Sequence, residues 1–153
     1  MNWTAFWLFL HVSGVVIWVG GMFFAHQCLR PVAAQQLQPP QRLPLWVGVF
    51  SRFFPWVWAS VAAILVSGLA MLLAVGFAAA PVRSHLMFAV GLAMMGIFAH
   101  VFFASFQRLK RGVAEQKWPD AAAALNQIRR LVGLNLVLGF ANIAIIFLGR
   151  MLP

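Results

Sequence analysis

The sequence predicts an all-α integral membrane four-helix bundle, on three observations. The chain of 153 residues is 63% hydrophobic and 8% charged, and its mean hydropathy is +0.91, too apolar for a soluble domain of this size. Four long apolar stretches can be read directly, at about residues 3–29, 53–77, 83–107 and 129–150, each near the roughly 20 residues a spanning helix needs. The basic residues gather in the short segments between these stretches rather than on a separate polar face.

Taken in order, the first stretch is a retained helix at about 3–29, because only Asn2 precedes Trp3 after the initiator and no basic segment leads into it, unlike a cleaved signal. Trp3 and Trp7 suit one membrane interface, and Trp46, Trp56 and Trp58 the other. Pro31 is expected to end this helix, and Pro39-Pro40 to mark a linker. Leu43 to Phe54, apolar but interrupted by Arg52, reads as an interfacial lead-in to a second helix, at about 43–77, with Pro55 kinking the junction. A third helix is expected at about 83–109. Trp118-Pro119-Asp120 reads as the start of a fourth, at about 119–151, with proline in the first turn and an acid near the helix dipole. Together they form one domain over 1–153. The single cysteine, Cys28, excludes an intramolecular disulfide and reads as a small apolar residue near a helix end.

The net charge of +9 is topological rather than a nucleic-acid footprint, so no nucleic acid is expected as a partner. Arg30, Arg42 and Arg52 lie between helices one and two, and Arg108, Lys110, Arg111, Lys117, Arg129 and Arg130 between three and four, whereas Arg83 and Arg150 alone remain for the other side. By the positive-inside rule both long loops are cytoplasmic and the N- and C-termini periplasmic, in a multi-pass protein of the bacterial inner membrane surrounded by lipid.

Ionisable side chains within spanning helices are costly and tend to mark function. His11 and His26 lie 15 residues apart in the first helix, and His85 and His100 lie 15 apart in the third. Fifteen residues rise about 22 Å, roughly three quarters of a hydrocarbon core of about 30 Å. The first and third helices run in the same direction, so equal spacing puts His11 level with His85 and His26 level with His100. Aligning the segment centres instead offsets the two helices by about five residues, or roughly 7 Å, a difference that tilt or a longer third helix absorbs.

Two imidazoles from facing helices at one depth suit axial ligation of haem iron, and two such levels suit one or two haem b groups. Gly14 and Gly96 then leave room for the macrocycles. Arg83 at one level, and Arg30, Arg52, Arg108 or Arg129 at the other, are candidate propionate partners, although topology alone also demands these arginines. His26 and His85 lie close enough to helix ends to meet water or headgroups instead.

Copper is the alternative cofactor. Met22 and His26 lie at i, i+4, and thioether plus imidazole suits Cu(I). Catalysis by side chains has little basis, because Glu115 and Asp120 are the only carboxylates and form no acid/base pair in the membrane. Any redox chemistry must therefore come from a cofactor. Asn135 and Asn142, seven apart in the fourth helix, read as interhelical hydrogen-bonding groups.

The run His11-Val-Ser-Gly-Val-Val-Ile-Trp18-Val-Gly20-Gly21, followed by Leu29-Arg30-Pro31, resembles the first helix of the CopD family of inner-membrane copper-resistance proteins. The similarity continues through Phe53-Phe54-Pro55-Trp56, Ser67-Gly68 and the third helix. It implies four helices in a bacterial inner membrane and a role in copper movement or homeostasis. The same His-x6-Trp pattern is similar to the first helix of the bacterial membrane protoporphyrinogen oxidase family, whose matching histidine, here His11, is associated with haem b. That family carries His-x-Lys at the start of its third helix, where this chain reads His85-Leu86-Met87.

The sequence therefore leads to a membrane b-type cytochrome with His11, His26, His85 and His100 as iron ligands, moving electrons across the membrane, with a quinol or a redox protein as partner. If it is an enzyme, it is a haem-dependent oxidoreductase. The alternatives are a CopD-like copper transport or binding protein and a structural membrane subunit without cofactor.

Overall fold

The computed structural model describes residues 3–149. They form four long helices, α1 (Trp3–Gln36), α2 (Pro39–Val75), α3 (Val82–Ala114) and α4 (Trp118–Leu148), each long and apolar enough to cross a membrane. No strand occurs among the described residues. Asn2, Arg150 and the expected end of the fourth helix at 151 lie outside them.

Two boundaries differ from expectation for a common reason. α1 does not stop at Pro31 but continues to Gln36, because Phe24–Leu29 is π-helical and the chain resumes α-helix at Arg30. The wider turn resets the hydrogen-bond register, so Pro31, which lacks an N–H, falls in the first turn of the resumed segment, where no N–H is needed. Likewise Pro39-Pro40 is the first turn of α2 rather than a linker, and α2 runs unbroken through Pro44 and Pro55, both exposed, where their rings have room. α3 carries a second π-helical stretch at Val101–Ser105.

The helices associate mainly as two hairpins, α1 against α2 and α3 against α4, with α4 also touching α1 and α2. Lipid tails are as apolar as the side chains, so close packing and interhelical hydrogen bonds hold such helices together. In the first hairpin Gly14 lets the α2 backbone approach: a Cβ there would lie 2.8 Å from Ile64 and 3.1 Å from the Ser60 carbonyl. In the second, Asn135 donates to the Met94 carbonyl and Asn142 to the Met87 carbonyl, each at 3.1 Å. Seven residues separate each pair along antiparallel helices, so the two amides form successive rungs, as the sequence led us to expect.

α4 reaches the other hairpin at Gly139, where a Cβ would lie 3.1 Å from Val19 of α1 and 3.4 Å from Met94 of α3. One half of the interior is aromatic. Phe50 and Phe54 of α2 stack at 5.0 Å, and Phe54 meets Phe98 and Phe106 of α3 edge-on at 5.4 and 5.0 Å. Trp18 of α1 meets Phe98 at 6.1 Å. Each such pair contributes about 0.5–1.5 kcal/mol beyond area burial. Large apolar side chains elsewhere, among them Phe9, Val16, Leu73, Phe103 and Val137, point outward, as lipid contact requires.

α3 turns into α4 through Gln116, whose φ is +56°, and the Lys117 amide donates back to the Gly112 carbonyl at 2.8 Å, closing a Schellman-type end. Lys117 pairs with Glu115 at 2.6 Å and holds that carboxyl below the usual carboxylate range.

The turn depends on Gly112, where a Cβ would meet the Ala121 backbone nitrogen at 2.9 Å. Gly112→Ala is expected to lower stability by about 1–3 kcal/mol. Gly96→Ala, whose added carbon meets nothing within 4 Å, is expected to be neutral or to stabilise by up to about 1 kcal/mol. Thermal unfolding of the two variants in a neutral detergent checks both.

Candidate functional site

The four histidines occupy four separate environments. His11 is half-buried on α1 and faces α2, with its Nδ1 3.0 Å from the Ser67 hydroxyl. Ser67 is fully buried and donates its only hydroxyl proton to the Ala63 carbonyl at 2.5 Å. The oxygen is therefore an acceptor toward the ring, so His11 Nδ1 carries the proton and Nε2 presents its lone pair. Gly68 seats the imidazole: a Cβ there would lie 3.3 Å from the ring carbon Cε1. The Ile64 backbone also bonds the ring, and an outer partner on one nitrogen is how a protein fixes a histidine for ligation. The sequence reading missed Ser67 as that partner. Its signal was a hydroxyl next to glycine in the otherwise apolar stretch 61–75 of α2.

His26 lies within the π-helical stretch of α1 and faces α4. Its Nε2 lies 3.5 Å from an Arg30 guanidinium nitrogen and would be 3.2 Å from a Cβ at Gly133. An arginine only donates, so Nε2 accepts, while Nδ1 is buried without a partner. One turn earlier, Met22 is 3% exposed.

His85 donates from Nδ1 to the Pro81 carbonyl at 3.4 Å and meets the Phe77 ring edge-on at 4.7 Å. It caps the turn before α3. His100 is exposed just before the second π-helical stretch, and its Nε2 accepts from the Gln127 amide nitrogen at 3.4 Å. Arg108 in turn donates to the Gln127 side-chain oxygen, so these three residues form a polar chain between α3 and α4.

The structure thus does not bring His11 to His85 or His26 to His100. The interval expected to hold macrocycles between α1 and α3 is closed by α4 at Gly139 and by the Trp18–Phe98 pair. What remains there is a cavity of about 20 Å³, bordered by Trp18, Met22, Phe54, Phe98 and Asn135, space for one water or one ion. These residues do not fit a porphyrin. Gly14 is used up in helix packing, and Gly96 faces outward. Among the candidate anion partners, Arg83 reaches the end of α4 beside Gly149, where a cation complements the helix dipole. Arg52 is exposed. Arg30 and Arg129 of the expected set join a cavity, of about 410 Å³, lined by His26, Arg30, Asn126, Arg129, Arg130 and Gly133. No group of three or more His, Cys, Asp or Glu side chains that could hold a metal ion occurs among the described residues.

A family model described as copper resistance protein D matches residues 47–148. The matched stretch takes in α3, α4 and most of α2, including Ser67, whereas His11 and His26 precede it. No curated protein and no solved structure matches the chain.

The tautomer of His11 is directly measurable. In protein labelled with ¹⁵N-histidine, His11 is expected to show a protonated Nδ1 and a bare Nε2. Ser67→Ala is expected to move that ring toward a tautomer mixture while leaving His85 and His100 unchanged. A His11 signal with Nε2 protonated in the unaltered protein would contradict the assignment.

Proposed function

Because the chain belongs to the copper resistance protein D (CopD) family, whose members are inner-membrane proteins, we propose that it binds Cu(I) within the inner membrane and passes it between the two ends of the bundle. Copper is here the cargo rather than a resident cofactor. The observation that carries the reading is His11, an imidazole within a spanning helix whose Nδ1 is held by the buried Ser67 hydroxyl.

Cu(I) is soft and accepts few ligands, with imidazole and thioether among those it prefers. His11 supplies the first at one end, and Met71 follows Ser67 by one turn on the same face of α2. Met22 borders the small interior cavity and His26 the larger one, so the next thioether and imidazole come at successive depths on α1. Single weak ligands at several depths suit a cargo that must leave as well as enter. The positive-inside rule supports a cytoplasmic position for the arginine-rich end. The cytochrome reading rests on histidine spacing alone, whereas the family match favours copper.

Cu(I) titration of the purified protein against a chromophoric chelator tests the reading. Binding is expected in the unaltered chain, His11→Ala is expected to weaken it by tenfold or more, and Ser67→Ala by about ten- to a hundredfold through loss of the outer partner. A chain that takes up no Cu(I), or one whose affinity is indifferent to His11, Met22 and His26 alike, would sink the proposal. Orientation has its own check. With Cys28→Ser as background, Gln35→Cys is expected to react with an impermeant maleimide only after the membrane is opened.

A further inference from the structure

We infer that the cavity between α1 and α4 at the arginine-rich end is a binding site for one phosphate-type oxyanion, held by Arg30, Arg129 and Arg130. The ligand chemistry is that of a tetrahedral phosphate oxygen cluster, which reaches this place either as the headgroup of an anionic phospholipid or as a free phosphate.

Topology explains why arginines lie at this end but not why they converge. Arg30 comes from α1 just after its π-helical stretch, and Arg129 and Arg130 come from α4, yet all three line one cavity of about 410 Å³. That volume lies within the range of small-molecule sites. Arg129 stands in the repulsive field of both Arg30 and Arg42, and no acid relieves it. The chain has two carboxylates. Glu115 is engaged by Lys117 in the α3–α4 turn, and Asp120 lies in the first turn of α4, also in the field of Lys117.

The hydrogen bonding is incomplete in the same sense. The Nε atoms of Arg129 and Arg42 are buried without acceptors. Among the described residues Arg129 donates to the neutral Asn126 oxygen, at 3.1 Å, and Arg42 reaches the Ala34 carbonyl at 3.4 Å. Converging guanidinium donors without acceptors are unfavourable in isolation and suited to bidentate phosphate oxygens. His26 adds to this polarity. Its Nε2 faces Arg30 at 3.5 Å, and its unpartnered Nδ1 is a further donor, since Nε2 accepts.

The test uses the full chain in a neutral detergent, stripped of lipid, with three probes: phosphatidylglycerol, phosphatidylcholine and inorganic phosphate. Native mass spectrometry reads stoichiometry, and thermal unfolding reads affinity. One phosphatidylglycerol per chain with no response to inorganic phosphate identifies a lipid headgroup, and saturable stabilisation by inorganic phosphate identifies a free anion. Either result supports the site if Arg129→Gln and Arg30→Gln weaken binding by about tenfold or more while Arg111→Gln, an exposed cation outside the cavity lining, does not. Should Arg129→Gln fail to fold, Arg130→Gln, exposed at the mouth, gives the same reading. The inference is overturned if neither anion binds more tightly than phosphatidylcholine, or if Arg111→Gln is as damaging as the cavity variants. Cu(I) plays no part in this assay, so its outcome is independent of the copper reading.

Discussion

The close approach of α4 to α1 is the constraint on which the rest of the arrangement depends. In a bilayer, burying a leucine against another helix gains little over burying it against lipid, so helices associate where their backbones can come near. Gly133 and Gly139 provide that nearness on α4. A Cβ at Gly133 would lie 3.2 Å from the His26 ring, and one at Gly139 would lie 3.1 Å from Val19 and 3.4 Å from Met94. Because α4 fits into α1 at these points, it stands between α1 and α3. Two consequences follow together: the interval between α1 and α3 is filled, and the arginines of α4 meet the arginine of α1 across one cavity.

Within each hairpin, polar side chains settle the register that apolar packing leaves loose. Ser67 and His11 tie α1 to α2, and Asn135 and Asn142 tie α4 to α3 through backbone carbonyls. Each such bond contributes only about 0.6 kcal/mol in a membrane. Their effect is directional rather than large, because a slip of one residue would break both asparagine rungs at once. The His11 contact does double duty, since the hydroxyl that fixes register also fixes which ring nitrogen keeps its lone pair.

Hydropathy and helix-start signals were enough to place the four spans, since length and apolarity report directly on crossing a bilayer. The paired asparagines were equally legible, because an amide in hydrocarbon must find a partner. What could not be read was the direction of each histidine. The argument from 15-residue spacing assumes 3.6 residues per turn throughout, which holds from His85 to His100 but not at His26, inside a π-helical stretch. A π turn takes more residues, so every position beyond it is rotated from where uniform helix geometry would put it. Proline misled for a related reason. At Pro31 and Pro39-Pro40 it opens a helical segment rather than closing one, and sequence alone does not distinguish the two. Ser67 was visible as a residue but not as a partner, because its relation to His11 spans 56 positions and belongs to the α1–α2 register.

The arginine cavity and the proposed copper path meet at His26, and electrostatics makes each relevant to the other. A monovalent cation about 6 Å from one guanidinium, at an effective dielectric of about 20, is opposed by roughly 3 kcal/mol, and here several guanidiniums line the same opening. An empty cavity would hold Cu(I) away from His26. A bound phosphate group reverses that balance, since one oxyanion offsets one or two of the arginine charges and accepts their N–H groups, drawing Arg30 from the imidazole nitrogen it now faces. An anion seated there would then act as more than filler. It would set whether His26 is a donor available to the proposed cargo or a neighbour of an unpaired cation, placing control at the arginine-rich end in the charge at its mouth rather than in the ligands themselves.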